Sequence, residues 1–241
     1  MTCKVAGQHI TAPDAGGHGL DMSNGQDWLV EDCVIDLSAC PLDQLDEAVG
    51  AGKLVLCGSG DTDKLTVERG KTVTFEDCIL EDFGRRGPEA QSGMRVMLRG
   101  CLIRNWGVSE RFDVRAFGAW AHRGGRIEAE SCVFDQPCFW RGWHIMVRDW
   151  LAHIGQSWND EGLRGLLRPA NWLPGVCRGL VATAGGQVRA ANCHATRWWI
   201  RLEGHSGPRM GRKEAFAVVE RRERLRAELT GRFPAAACPG R

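Results

Sequence analysis

The sequence contains no tyrosine, only five lysines, no long hydrophobic run and no excess of charge of either sign. Without an apolar stretch of about 18 residues or more it offers no membrane span, so we expect no membrane partner. Its 31 basic and 30 acidic residues are interspersed, and the lack of a basic patch argues against nucleic acid as a partner. The N-terminal segment has no apolar core, so we expect no signal peptide.

The chain also lacks the Cys-x-x-Cys spacing, although it has eleven cysteines. Paired cysteines at that spacing are the usual ligands of a zinc ribbon, so we exclude that class. An odd number of cysteines leaves the redox compartment open. The placement of the cysteines along the chain is more informative than their number.

Five cysteines occupy the same place in a repeated segment. The segments read DWLVEDCVID, TVTFEDCILED, RVMLRGCLIRN, RIEAESCVFDQ and QVRAANCHATR, and the aligned residues are Cys33, Cys78, Cys101, Cys132 and Cys193. Apolar and polar residues alternate before each cysteine, which predicts half-buried strands. Repeats at an irregular spacing of roughly twenty residues or more are typical of a solenoid with loop insertions. The pattern predicts an all-β fold, a right-handed parallel β-helix.

In such a solenoid like residues stack on one another, so the five cysteines are predicted to form an internal column. Cysteine is a small and readily buried residue, which favours a packing role. A redox or metal-binding role for the thiols is the alternative.

We assign residues 1–210 to a single β-helix domain with an irregular Trp- and Gly-rich loop around 136–180. The tryptophans of this loop are either core residues or platforms for sugar rings. Residues 211–241 are predicted to form a C-terminal α-helix and tail that pack on the β-helix. An apolar helical face with Gly231 as a stop signal indicates this helix, and its members are Ala215, Val218, Leu225 and Leu229. We interpret the helix arginines as a solvated face.

Four segments between about Gly17 and Asp135 resemble the pectate and pectin lyases of polysaccharide lyase family 1. They are GLDMSNGQDWLVEDCVID, GKLVLCGSGDT, VTFEDCILEDFGRRGPEAQSG and FGAWAHRGGRIEAESCVF, and they occur in the order of the family. Cysteine stands where the family commonly has asparagine in its internal ladder. The resemblance covers about half of the chain and lacks the N-terminal coils of the family. It implies the right-handed parallel β-helix fold.

The resemblance also implies catalytic and substrate-binding residues. Arg86, in the turn GRRGPEAQSG, matches the catalytic base, with Arg85 as a local competitor. Lys53 matches a lysine that contacts the substrate carboxylate. The implied substrate-binding set is Lys53, Arg85, Gln91 and Arg95. Glu89 and Gln91 stand where the family has arginines that hold the substrate carboxylate.

A calcium site is implied as well, because the family uses Ca²⁺ to stabilise charge on the substrate. Asp21 matches a metal-ligand aspartate, and Asp14 is a weaker partner. The segment SACPLDQLDEAVGA offers Asp43, Asp46 and Glu47 as replacement ligands, or else forms a short acidic surface helix.

Three functions remain open from the sequence. The first is a lyase that cleaves an acidic polysaccharide such as pectate by β-elimination, which implies secreted or extracellular, including virion-associated, action. The second is a catalytically impaired β-helix that binds carbohydrate or serves as a structural component of a particle or surface. The third is a glycoside hydrolase, which needs paired carboxylates; Asp61, Asp63 and the acidic residues of 76–82 are the candidates. The oligomeric state stays open.

Overall fold

Short parallel strands and one C-terminal helix make up most of the described structure. The computed structural model describes residues 2–11, 20–21, 27–36, 53–57, 72–82, 86–91, 93–106, 117–136, 177–198 and 200–231. The predicted loop around 136–180 therefore lies largely outside the described residues, as does the segment with Asp43, Asp46 and Glu47. Within the described ranges, no helix has the length and hydropathy needed to cross a bilayer.

The strands form three six-stranded parallel sheets, which we name A, B and C. Sheet A contains β1 (Thr2–Ala6), β4 (Asp27–Glu31), β7 (Thr72–Glu76), β10 (Arg95–Arg99), β13 (Arg126–Glu130) and β16 (Gln187–Ala191). Sheet B contains β2 (His9–Thr11), β5 (Val34–Asp36), β8 (Ile79–Glu81), β11 (Leu102–Arg104), β14 (Val133–Asp135) and β17 (His194–Ala195). Sheet C contains β3 (Leu20–Asp21), β6 (Lys53–Cys57), β9 (Arg86–Ala90), β12 (Ala119–Ala121), β15 (Cys177–Ala182) and β18 (Ile200–Leu202).

Every third strand along the chain joins the same sheet, so each coil contributes one strand to A, one to B and one to C. This is an all-β, parallel β-helix-like architecture with a C-terminal helix, and it agrees with the solenoid predicted from the repeats. The parallel register stacks equivalent residues, as in the row Val30, Phe75, Leu98, Ala129 and Ala190. All five are buried in one continuous core. The alternation seen in the sequence thus sorts residues to the inner and outer faces of sheet A.

The corner between sheets A and B is a two-residue bend repeated in every coil. Its first residue has a left-handed backbone, with φ between +48° and +61°, and the six residues are Gly7, Asp32, Asp77, Gly100, Ser131 and Asn192. Aspartate, asparagine and glycine tolerate this conformation best, which explains most of the residues found there. From the second coil onward the next residue is the aligned cysteine.

The five aligned cysteines form the predicted internal column. All are fully buried and none is in a disulfide. Cys101 Sγ, for example, donates to the carbonyl of Phe75 one coil away at 3.4 Å and to Arg99 O at 3.4 Å. The other four repeat both contacts. Burial raises the pKa of Cys78 and Cys132, whereas hydrogen bonds from neighbouring thiols lower the pKa of Cys193 and lower that of Cys33 to about 7. The pKa of Cys101 is also lowered, because hydrogen bonds from Cys132 and Cys78 outweigh its burial. The complete burial of all five side chains favours the packing role.

The C-terminal helix α1 (Arg212–Thr230) covers part of the outer face of sheet B. Ala215 and Val218 of the helix pack with Met210 on Leu102 and Val133. The predicted apolar face is confirmed, since Ala215 and Val218 are buried and the two leucines are half-buried. Gly231 ends the helix in a left-handed conformation, as its stop signal predicts.

Two interpretations of the sequence need correction. The helix arginines are not all solvated, because Arg222 is only 7% exposed. Its guanidinium donates to Gly100 O at 3.1 Å and Asp77 O at 2.8 Å and pairs with the Asp77 carboxylate. The bend between sheets A and B leaves these carbonyls facing the helix. The stretch GRRGPEAQSG is also not simply a turn, since β9 runs from Arg86 to Ala90 and pairs with β6 and β12.

The bends provide a matched test of how α1 is attached. A Cβ at Gly100 would overlap Asp77 Oδ1, the atom that pairs with Arg222, whereas a Cβ at Gly7 meets nothing within 4 Å. Both glycines have φ near +60°. We expect Gly7→Ala to lower the free energy of unfolding by about 1 kcal/mol, and Gly100→Ala by roughly 2–4 kcal/mol because it also displaces the ion pair. Urea denaturation measures both, and equal losses would contradict this account of the attachment.

Candidate functional site

Sheet C holds the two residues that the sequence matches to catalytic roles. β6 begins at Lys53 and β9 begins at Arg86, and the two residues are register partners in these neighbouring parallel strands. Partners in adjacent strands have backbones about 4.8 Å apart. The fold therefore makes register partners of two residues that are 33 positions apart in the chain.

The metal residues are placed differently. Asp21 ends β3 and is the register partner of Leu56, which in turn is the partner of Glu89. This row lies three residues further along the strands than Lys53, which corresponds to about 10 Å. Asp14 and Arg85 lie outside the described residues. Asp21 thus shares sheet C with the Lys53–Arg86 pair but not its row.

The remaining predicted substrate-binding residues are divided between two environments. Gln91 directly follows β9 and is only 4% exposed. Arg95 belongs to sheet A, where it is exposed and its Nη2 lies 2.7 Å from both carboxylate oxygens of Glu128. The structure therefore separates Arg95 from Lys53 and Arg86.

A second cluster on sheet C joins Glu89, Trp120 and His122. Glu89 Oε1 lies 2.8 Å from His122 Nε2, and the two residues are 2% and 7% exposed. The indole of Trp120 is parallel to the imidazole, with an angle of 1° and ring centroids 3.7 Å apart. Trp120 Nε1 donates to Thr183 Oγ1 at 2.9 Å. The imidazole is thus held on its edge by a carboxylate and on its face by an indole.

The fold explains why these three residues meet. Glu89 and Trp120 are register partners in β9 and β12, and His122 is two residues beyond Trp120, so alternation returns it to the same face. Ala119 and Ala121, on either side of Trp120 in the chain, belong to the core. From the sequence, Glu89 stands out only as a departure from the family pattern, and His122 is not among the predicted site residues. The sequence feature that could have selected His122 is the alternation in AWAH, which puts Trp120 and His122 on one face of a strand. The neighbouring strand carries the acidic residue Glu89.

A carboxylate that bonds one nitrogen of a histidine fixes the ring orientation and leaves the other nitrogen for a second partner. Trp120 is half-buried and brings an aromatic surface to the same face of sheet C. Aromatic faces are suited to the apolar sides of sugar rings. The cluster can therefore orient a polar group and support a ring beside it.

One group of carboxylates in the described part of the chain is close enough to hold a cation. Asp36, Glu81 and Asp82 offer oxygen atoms within 4.8 Å of one another, on sheet B and directly after it. Glu81 is already an ion-pair partner of Arg104 at 2.5 Å and of Arg226 at 3.1 Å, although no hydrogen bond reaches its Oε1. Burial raises the pKa of Glu81, which the two arginines oppose.

These contacts do not fit an open calcium site. Ca²⁺ requires six to eight oxygen ligands at about 2.3–2.6 Å, and here guanidinium groups already neutralise the most buried carboxylate. The cluster also lies on a different sheet from Asp21. The described residues therefore assemble no set of calcium ligands around the predicted metal position.

Comparison with known proteins does not add a family to this description. No family model matches the chain, and no curated protein or solved structure matches it. The class is therefore defined by the architecture, an all-β, parallel β-helix-like protein with a C-terminal helix. Its candidate site is the part of sheet C that contains the Lys53–Arg86 pair and the Glu89–Trp120–His122 cluster.

The Glu89–His122 contact predicts a measurable energetic coupling. Replacing either residue by alanine removes one buried partner of the other, so we expect each single variant to lose roughly 1–3 kcal/mol of unfolding free energy. The double variant should lose less than the sum, by about 1 kcal/mol or more. Chemical denaturation of the four proteins measures this.

The exposed pair Arg95–Glu128 provides the matched control for that double-mutant cycle. Its coupling should be smaller, about 0.2–1 kcal/mol, because water and salt screen it. Additive losses at Glu89 and His122 would show that the contact is not a stabilising pair.

Proposed function

We propose that this protein is a right-handed parallel β-helix that binds an acidic, uronate-containing polysaccharide and cleaves it by β-elimination. The observation that carries the proposal is the register pairing of Lys53 with Arg86 on sheet C. The resemblance assigns these two residues the roles of carboxylate partner and base. The sequence around Lys53 and Arg86 does not by itself require the two residues to be neighbours. Their register pairing is therefore an independent observation in support of the proposal.

The reaction needs positive charge beside the substrate carboxylate. Removal of the C5 proton of a uronate places negative charge on that carboxylate, and fixed cations stabilise such charge. In the proposed step Arg86 accepts the C5 proton, and the electrons of the C5–H bond form the C4–C5 double bond. The C4–O4 bond breaks, and O4 leaves with its electron pair and takes up a proton. Lys53 holds the carboxylate throughout.

Arginine is an unusual base because its pKa is ordinarily above about 12. A neighbouring cation disfavours the charged form of a guanidinium and lowers its pKa. Lys53, opposite Arg86 in the next strand, supplies such a neighbour. The pair therefore has a chemical reason to consist of two cations, one of which binds substrate while the other exchanges a proton.

Glu89 would repel a uronate if its charge faced the substrate alone. Its carboxylate is instead buried and bonded to His122, so its charge is partly compensated within the protein. Trp120, stacked on that histidine, supplies an aromatic surface on the face of sheet C that carries Glu89. We assign this cluster the positioning of the neighbouring sugar residue.

Calcium is not assigned a step in this scheme, because the described residues do not assemble its ligands. The family resemblance nevertheless predicts it. Turnover measured with a chelator and with added Ca²⁺ tests that prediction separately from the roles of Lys53 and Arg86.

The second candidate function is carbohydrate binding without cleavage. It is favoured by the burial of Glu89 and Gln91, which stand where the family has substrate-binding arginines. On this alternative the protein retains affinity for a uronate polymer but forms no unsaturated product.

The decisive experiment measures the ultraviolet absorbance of the unsaturated product on polygalacturonate and on other uronate polymers. We expect Arg86→Ala to reduce kcat about 10²–10⁴-fold, as for loss of a general base, and Lys53→Ala about 10²–10³-fold. Arg99→Ala is the control, since it removes an exposed arginine of sheet A that is paired with Glu76 and should leave turnover unchanged. Wild-type protein that forms no product on any uronan, or an Arg86→Ala variant as active as wild type, would overturn the proposal.

A further inference from the structure

A pocket of about 500 Å³ lies at one end of the described stack of coils. Its walls come from the end of β17, the turn that leads to β18, and the segment at the start of α1. β17 and β18 are the last strands in the order of sheets B and C. The volume is within the range of about 300–1,000 Å³ that small-ligand sites usually have.

The pocket lining is strongly basic. It includes Arg197, Arg209, Arg212 and His194, and none of the nine described lining residues is acidic. Guanidinium groups bind carboxylates through two parallel hydrogen bonds. The charge of the pocket therefore selects an anionic ligand.

The walls of the pocket are fixed to each other. His194 Nδ1 lies 3.1 Å from the carbonyl oxygen of Met210, so this ring nitrogen donates and the carbonyl accepts. The contact joins β17 to the segment before α1, and Met210 is itself buried. α1 begins at Arg212, and Glu214 Oε2 in its first turn accepts a hydrogen bond from Gly211 N at 3.1 Å, so this carboxylate offsets the positive end of the helix dipole.

Trp198 lines the same pocket and is 84% exposed. The exposed indole has an aromatic face of the kind that packs against the apolar side of a sugar ring. Its position beside three arginines offers an aromatic face next to carboxylate-binding groups. A sugar ring that carries a carboxylate matches both features at once.

We propose that this pocket is a second binding site for uronate residues of an acidic saccharide, remote from the Lys53–Arg86 pair. The choice of a uronate rests on the proposed function, whereas the anionic and ring-binding character follows from the pocket itself. β18 is three strands from β9 in sheet C, a distance of about 15 Å. A chain that extends along the stack from the candidate site therefore reaches this pocket, which would favour longer saccharides.

The test is calorimetric titration of the full-length protein with trigalacturonate, in a Lys53→Ala/Arg86→Ala background that removes the cations of the candidate site. We expect one bound trisaccharide, and a loss of affinity of about tenfold or more in Trp198→Ala and in Arg209→Ala/Arg212→Ala. Phe216→Ala and Arg224→Ala are the matched controls and should bind as the background does. Phe216 is 70% exposed on α1, and Arg224 pairs with Glu220; neither lines the pocket.

Three further probes distinguish the ligands. A neutral trisaccharide of the same length should bind at least about tenfold more weakly, because it lacks the carboxylates. Inorganic phosphate and a short single-stranded oligonucleotide report a general anion site, and binding of either as tight as that of trigalacturonate would overturn the assignment to uronate. Absence of trigalacturonate binding, or unchanged affinity in the pocket variants, would overturn the proposal that this pocket is a saccharide-binding site.

The outcomes are separable from those for the proposed reaction. Retained pocket binding in a protein that forms no unsaturated product contradicts only the lyase activity. Product formation by a protein whose pocket does not bind trigalacturonate contradicts only the second binding site. Circular dichroism and urea denaturation of each variant verify that affinity changes do not result from unfolding.

Discussion

The bend between sheets A and B is the constraint on which the described structure depends. One residue in a left-handed conformation turns the chain, and a buried cysteine follows it from the second coil onward. The thiol bonds the carbonyl two residues before it and a carbonyl of the preceding coil, so one small side chain closes the corner and joins consecutive coils. Because the corner repeats in register, the strands on either side of it also repeat in register, and the core consists of continuous rows.

The same bend determines where the C-terminal helix attaches. Backbone carbonyls at Asp77 and Gly100 are directed away from the core, and Arg222 satisfies both while pairing with the Asp77 side chain. A buried guanidinium requires such complete pairing, since an unpaired charge in this position would be strongly destabilising. Helix α1 is thus held by a polar contact at the corner and by apolar contacts of Ala215 and Val218 on sheet B.

Sheet C differs from the other two because its strands carry both groups of candidate site residues. Register pairing places Lys53 beside Arg86 and Glu89 beside Trp120, and alternation adds His122 to the second group. The two groups differ in character, one being cationic and the other a compensated acid with aromatic surface. The pocket beside β17 and β18 adds guanidinium groups and an exposed indole at the end of the stack.

The repeats, the alternation that separates inner from outer residues, the cysteine column and the C-terminal helix could all be predicted from the sequence, because these features depend on local spacing. The sequence also selected Lys53 and Arg86 through a resemblance, but their adjacency arises only from the register of β6 and β9. The tertiary structure alone decided that Arg95 lies on another sheet, that Arg222 is buried, and that Glu89 is compensated by His122. Such contacts join residues more than twenty positions apart. The lengths of the intervening loops do not reveal which residues will become register partners in neighbouring strands.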